Sequence, residues 1–239
     1  MPLTAFDLGT ILSTGGSTTV AFAANVPPGA FIYLWAFEKT TAGAFAGITT
    51  DSAGNSYSNV NAENPNSVAA NGVGKSYYSF NVSPLFNGSI LVPKSTLSTA
   101  MAIGGMYVLG VASSADPYET NSFNTASGNN NNPKVLSGAN FRFQVPGEFV
   151  VANSYWVPDT GDTFSQSGGL PWASPPTTFI STAVGIGMAG GWASNLSIAA
   201  TLYNPFLNNT RPWVTWIQGF YPGGDVGHDS TTLYAIGNY

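Results

Sequence analysis

The stretch Ile48-Thr-Thr-Asp-Ser-Ala-Gly-Asn-Ser-Tyr57 decides the fold class. An Asp side chain bonds backbone amides just downstream of it, and Gly adopts the left-handed conformation that a tight turn requires. Asp51-Ser-Ala-Gly-Asn55 therefore reads as a turn, with Asn55 also suited to unusual dihedrals. Residues 44–50 and 56–60 read as the two arms of a hairpin around it.

The same grammar continues outward. Residues 18–24 follow Gly15-Gly16, and 31–38 form a run rich in aromatic and aliphatic side chains. Further strands are expected over 76–82, 101–111, 148–157, 178–188, 197–203, 213–220 and 231–236. Gly104-Gly105 predicts a bulge within 101–111. In the run 213–220, Trp213, Thr215 and Ile217 alternate with Val214, Trp216 and Gln218, so both faces are expected to be covered. Residues 113–137 and 158–176 read as long loops, the first containing Asp116-Pro117 and Gly128-Asn-Asn-Asn-Asn-Pro133. Helical spacing is nearly absent, while 28 Gly and 16 Pro punctuate the chain. About ten to twelve short strands without helices predict an all-β fold: an antiparallel β-sandwich of jelly-roll type. No internal repeat is evident, and a division near residue 120 is expected to cut a sheet. Residues 16–239 are read as one domain. Residues 1–15 are read as an N-terminal arm, because 2–19 precede the first clear strand, and that arm is expected to dock the chain.

Charge is the scarcest property. Lys plus Arg number 6 and Asp plus Glu 11 in 239 residues, or 7%, against about 25% in an ordinary soluble domain. One His and no Cys are present, so a disulfide framework and thiolate metal sites are excluded. Lys39, Lys75, Lys94, Lys134, Arg142 and Arg211 are scattered, which argues against a phosphate-tracking surface and nucleic acid as a partner. The apolar fraction of 44% is sufficient for a large core. The apolar stretch 183–193 is shorter than the ~20 residues that span a bilayer, so membrane insertion is not expected. Met1-Pro-Leu-Thr-Ala-Phe-Asp7 lacks the basic and apolar regions of a secretory leader.

Residues 48–57 resemble a recurring β-sandwich domain of phage and gene-transfer-particle virion proteins and of bacterial surface proteins. In that family a strand ends in Thr-Asp-Ser-x-Gly-Asn and restarts with a Thr/Ser-Tyr pair. The order that follows is similar as well: Ser76-Tyr-Tyr-Ser-Phe80, Gly88-Ser-Ile-Leu-Val92, the strand 101–111, Asp116-Pro117, and Glu148-Phe-Val-Val-Ala152. The resemblance covers roughly residues 15–220 of the chain. It implies display and contact, often with glycans, and offers no catalytic residues or cofactor.

Several residues invite a chemical role and have a simpler one. Asp51 and Asn55 lack the further oxygen ligands of a calcium loop, and turn chemistry explains them. Asp159 and Asp162 lie in Pro158-Asp-Thr-Gly-Asp-Thr163, but aspartic-protease chemistry needs a second such motif, and a turn accounts for this one. Asp225-Val-Gly-His-Asp229 brings the single His beside carboxylates in a Gly-rich segment that reads as a solvated loop. Nothing marks a carboxylate pair for glycoside hydrolysis. Asn81, Asn87, Asn195 and Asn208 match the sequon by composition alone. Of Trp35, Trp156, Trp172, Trp192, Trp213 and Trp216, most are expected in the core; Trp172, in a Pro-rich loop, and Tyr118, in the Asp-Pro loop, are the candidate glycan-stacking residues.

The expectation is a non-enzymatic virion protein without cofactor or metal, assembled in the host cytoplasm and displayed on the particle. Its expected partners are other capsid or tail proteins, further copies of itself and a host surface glycan. The competing readings are an extracellular carbohydrate-binding or adhesin module and a glycan-degrading tail spike.

Overall fold

The computed structural model describes residues 3–14, 19–40, 49–60, 72–111, 116–133, 135–136, 149–166, 172, 178–194 and 202–221. All regular structure in them is β. The first set of strands is β1 (Thr4–Ser13), β2 (Thr19–Val26), β3 (Phe31–Thr40), β4 (Thr50–Asp51), β5 (Ser58–Val60), β6 (Gly72–Ser79), β7 (Leu85–Pro93) and β8 (Ser98–Leu109). They form sheet I, ordered β1-β8-β3-β6-β5, and sheet II, ordered β2-β7-β4. This winding is that of a jelly roll.

The rest of the chain winds the same way. Its strands are β9 (Tyr118–Asn130), β10 (Val135–Leu136), β11 (Phe149–Trp156), β12 (Phe164–Gln166), β13 (Phe179–Ser181), β14 (Ile186–Ala193), β15 (Leu202–Tyr203), β16 (Pro205–Leu207) and β17 (Arg211–Phe220). Sheet III runs β9-β17-β11-β14-β13, position for position the order of sheet I. β10 pairs with β15 and β12 with β16, as β2 and β4 pair with β7; Asn204 alone separates β15 from β16. Every pairing is antiparallel. The repeat lies in the topology, and no sequence similarity signals it.

Side-chain alternation stacks the layers. On β3, Phe31, Tyr33, Trp35 and Phe37 point toward sheet III, while Ile32, Leu34 and Ala36 point toward sheet II. β3 is thus buried on both faces, and each large side chain so buried contributes about 1.5–3 kcal/mol. β11 repeats the pattern, with Phe149, Val151 and Tyr155 facing sheet I and Val150 and Ala152 facing the outer ribbons. β17 is covered on both faces, as its alternation predicts.

A division at residue 120 falls within β9 and so cuts sheet III, as expected, whereas no sheet draws described strands from both sides of residues 112–115. The halves on either side of 112–115 share the largest core cluster among the described residues. Several expectations need correction. The segment expected to be an arm contains β1, paired with β8. A bulge between Asp7 and Gly9 reverses its alternation: Ala5 and Leu12 face one core, Leu8 and Ile11 the other, which erases the period-2 signal. Gly104 and Gly105 keep regular register against β3, and the bulge between β1 and β8 lies in β1; the irregularity of β8 itself falls at Thr99, between its pairings with Lys39 and Thr40. Within the expected loop 113–137 lies β9, a strand of 13 residues. The expected strand 178–188 is instead the hairpin β13–β14, turned at Gly185 (φ +68°).

The arms of the Asp51 turn also part company. β4 pairs with β7 in sheet II, and β5 pairs with β6 in sheet I. Residues 44–48 of the expected first arm lie outside the described residues; among those described, the turn carries the chain between sheets and β4 and β5 do not pair with each other.

Candidate functional site

The charged side chains with described surroundings are directed onto the chain itself. Asp51 accepts the Ala53 and Asn55 amides at 2.9 and 3.0 Å, the Asn55 side-chain amide at 2.8 Å and the Tyr57 hydroxyl at 2.8 Å. Gly54, at φ +78°, is the left-handed residue. Asn55 instead ties the turn to Ser83, accepting its amide at 2.7 Å and donating to its carbonyl at 3.1 Å. Burial and the Asp51 carboxylate push the Tyr57 hydroxyl well above the ordinary tyrosine range. Asp116 accepts the Tyr78 hydroxyl and the Tyr118 amide. Lys39 donates to the Val184 carbonyl across the interface between halves at 3.0 Å. Lys75 lies over the Tyr77 ring, and Lys94 is buried.

Asp159 and Asp162 form the expected turn, with the Asp162 amide on the Asp159 carbonyl and Gly161 at φ +81°. Arg211 then clasps Asp162 through Nε at 2.6 Å and Nη2 at 2.8 Å, and Asn209 adds a bond at 2.8 Å. The Arg211 bonds hold the Asp162 carboxyl at a pKa of about 2. This geometry fixes a loop and presents no acid–base pair.

The tryptophans are core. Trp35, Trp156, Trp213 and Trp216 are buried, and Trp192 packs against the central cluster. Three of them lie directly opposite a glycine: Trp35 on Gly104, Trp156 on Gly187, Trp213 on Gly128. A Cβ on Gly104 would sit 2.2 Å from the Trp35 ring. The glycines therefore leave room for indoles.

The two glycan candidates lie on opposite faces of sheet III. Trp172 is half-buried, edge-on to Tyr203 at 4.8 Å. Tyr118 stacks on Tyr78 at 5.5 Å, within the cluster between the halves. Asn208 uses its side chain to hold Thr163 and Gly161, while Asn81 and Asn87 are exposed at positive φ. Asp225, His228, Asp229, Asn195 and the expected strand 231–236 lie outside the described residues.

Sequence reasoning passed over Glu38. It is buried at the end of β3, and burial raises its carboxyl pKa. Its Oε1 accepts the Ser95 amide at 2.6 Å, and Oε2 has no hydrogen-bond partner among the described residues. One acid at the end of an aromatic strand gives no signal in sequence. Among the described residues no group of His, Cys, Asp and Glu is arranged to hold a metal ion.

Among the described residues the exposed charges are Asp7, Asp116 and Asp159, and the rest of the exposed surface is neutral. The exposed large apolar residues include Phe86 on β7 and Phe206 on β16, strands in corresponding positions of the two halves. Compared with family models, with curated proteins and with solved structures, the chain matches none.

Proposed function

We propose that this chain is a non-enzymatic structural or attachment protein, displayed on the surface of a phage or phage-like particle beside capsid or tail proteins. One observation carries this reading: among the described residues the charged side chains are engaged on the chain itself, which leaves a surface mainly of neutral side chains, hydroxyls and amides together with apolar points such as Phe86 and Phe206. Neutral hydrogen-bonding surfaces allow like copies to pack without mutual repulsion, and salt screens them less than charge pairs. They also suit neutral glycans of a host surface. The resemblance of residues 48–57 to virion domains points the same way.

The test is fractionation of intact particles with quantitative mass spectrometry of this chain. Co-purification at a fixed copy number supports the reading, and absence from purified particles ends it. A glycan array run with a reducing-end assay separates binding from cleavage. Glycan binding by a chain absent from particles would transfer support to the adhesin reading.

A further inference from the structure

Sheet edges expose unpaired backbone groups, and proteins blunt them with short strands, charges, prolines or bulges. Among the described strands the two large sheets have four edges. β5 and β13 are only three residues long. β1 carries the bulge at Asp7/Gly9, where the Asp7 carboxylate accepts the Gly9 amide at 2.9 Å. β9 differs from all three. From Phe123 to Asn130 its register against β17 is unbroken, and the segment FNTASGNN contains no charge and no proline.

The direction of its backbone groups can be read from one bond. The Thr125 amide donates to the Asn124 side-chain oxygen at 2.9 Å, away from the β17 ladder. Thr125 Oγ1 meanwhile reaches the Thr215 carbonyl, which points toward β9. Thr125 therefore turns its backbone groups outward. By the alternation of an antiparallel ladder, Phe123, Ser127 and Asn129 do the same.

We propose that this edge pairs antiparallel with the same edge of a second copy, joining two copies of sheet III into one continuous sheet across a two-fold axis. Antiparallel self-pairing supplies the self-complementarity such a contact needs, because outward amides of one copy face outward carbonyls of the other, the Thr125 amide exchanging its local Asn124 acceptor for one of them. Exposed Thr125, Ser127 and Asn129 then face neutral neighbours, whereas like charges in those places would repel. A partner strand of matching length and neutrality is supplied by every further copy. The biological setting rests on the reading of the chain as a repeated particle component; the pairing itself is tested without particles.

The experiment is sedimentation equilibrium of the purified full chain over a wide concentration range, with amide exchange of residues 118–130. The wild type is expected to dimerise, with slowed exchange over 123–130 in the dimer. Ser127→Pro removes one outward amide and leaves the β17 ladder intact, and Thr125→Lys adds charge at the contact. Each is expected to weaken dimerisation by about tenfold or more; thermal unfolding confirms that the variants fold, and Thr125→Lys alone suffices if the proline does not. A wild type that stays monomeric overturns the proposal, whatever its exchange pattern. So does a dimer that folded Thr125→Lys leaves unchanged. Monomeric behaviour alongside normal particle association would remove this contact and keep the proposed function.

Discussion

The Tyr33 hydroxyl donates to Asn153 Oδ1 at 2.7 Å, a buried hydrogen bond between the central strands of the two jelly-roll halves. Around it the interface is aromatic: Phe31 meets Phe149 and Phe220, and Phe37 stacks on Tyr155. Few polar bonds accompany it, among them Trp216 Nε1 to Ser76 Oγ at 3.2 Å. Burial raises the Tyr33 pKa, so the phenol stays neutral. A directional bond in an apolar interface fixes how one sheet sits on the other.

A double-mutant cycle measures that role. Tyr33→Phe strands the Asn153 carbonyl, and Asn153→Leu strands the phenol; each is expected to cost about 1–3 kcal/mol. The double variant should cost less than the sum by about 0.5–2 kcal/mol in urea unfolding. Strict additivity would show that the bond contributes nothing specific.

Glycine placement gives the second prediction. Gly104→Ala drives a methyl into the Trp35 ring, and Gly187→Ala does the same to Trp156. Neither indole has free space, since both side chains are fully buried. Each variant should lose about 1–3 kcal/mol. Trp35→Leu introduced with Gly104→Ala should recover part of that loss relative to additivity. Thermal denaturation of the single and double variants checks this, and a neutral Gly104→Ala would refute the packing account.

Much of this architecture was legible in the sequence. The alternation in β17 and the aromatic run of β3 announce buried strands, and the Gly-rich punctuation with no helical spacing announces a sandwich. β1 and β9 escaped for physical reasons. In β1 one bulge inverts the alternation, and β9, an edge strand, exposes Thr125, Ser127 and Asn129, so polar residues stand where a buried strand would show apolar ones. The Asp51 turn was identified, but its topology was not, because a turn motif specifies local bonds and not the partners of its arms. The tandem winding was invisible because the halves share strand order without sharing residues. At the candidate sites, turn chemistry for Asp51 and Asp162 was readable from spacing. The lock from Arg211 was not, because it closes over 49 residues.

Glu38 supplies a pH prediction. Burial raises its folded-state pKa above the unfolded value near 4.5. The folded state therefore binds the proton more tightly than the unfolded chain. The carboxylic acid form contributes stability that is full below the unfolded pKa and is lost as pH rises through the folded pKa. Glu38→Gln keeps an acceptor for the Ser95 amide and removes the titration. Denaturant midpoints for the variant should decline less than those of the wild type between acid and mildly alkaline pH. Identical slopes would mean that Glu38 titrates as an exposed carboxylate does.

Asp162 should behave in the opposite sense. Bonds from Arg211, the Asp159 amide and Asn209 depress its carboxyl from the ordinary 3.8 to about 2. Its contribution is present above the unfolded value and disappears as pH falls through the folded one, so the window lies between about 4 and 2. Asp159, 3.7 Å from Arg211 and 73% exposed, adds little because solvent screens it. Asp162→Asn should cost about 1–3 kcal/mol near neutrality, and it should remove the Asp162 contribution to acid destabilisation. Arg211→Lys should lose part of the same energy, since an ammonium cannot reproduce the two-point clasp. Urea titrations at neutral pH and near pH 3 separate these cases: an Asp162→Asn variant as acid-sensitive as the wild type would place the acid-labile group elsewhere.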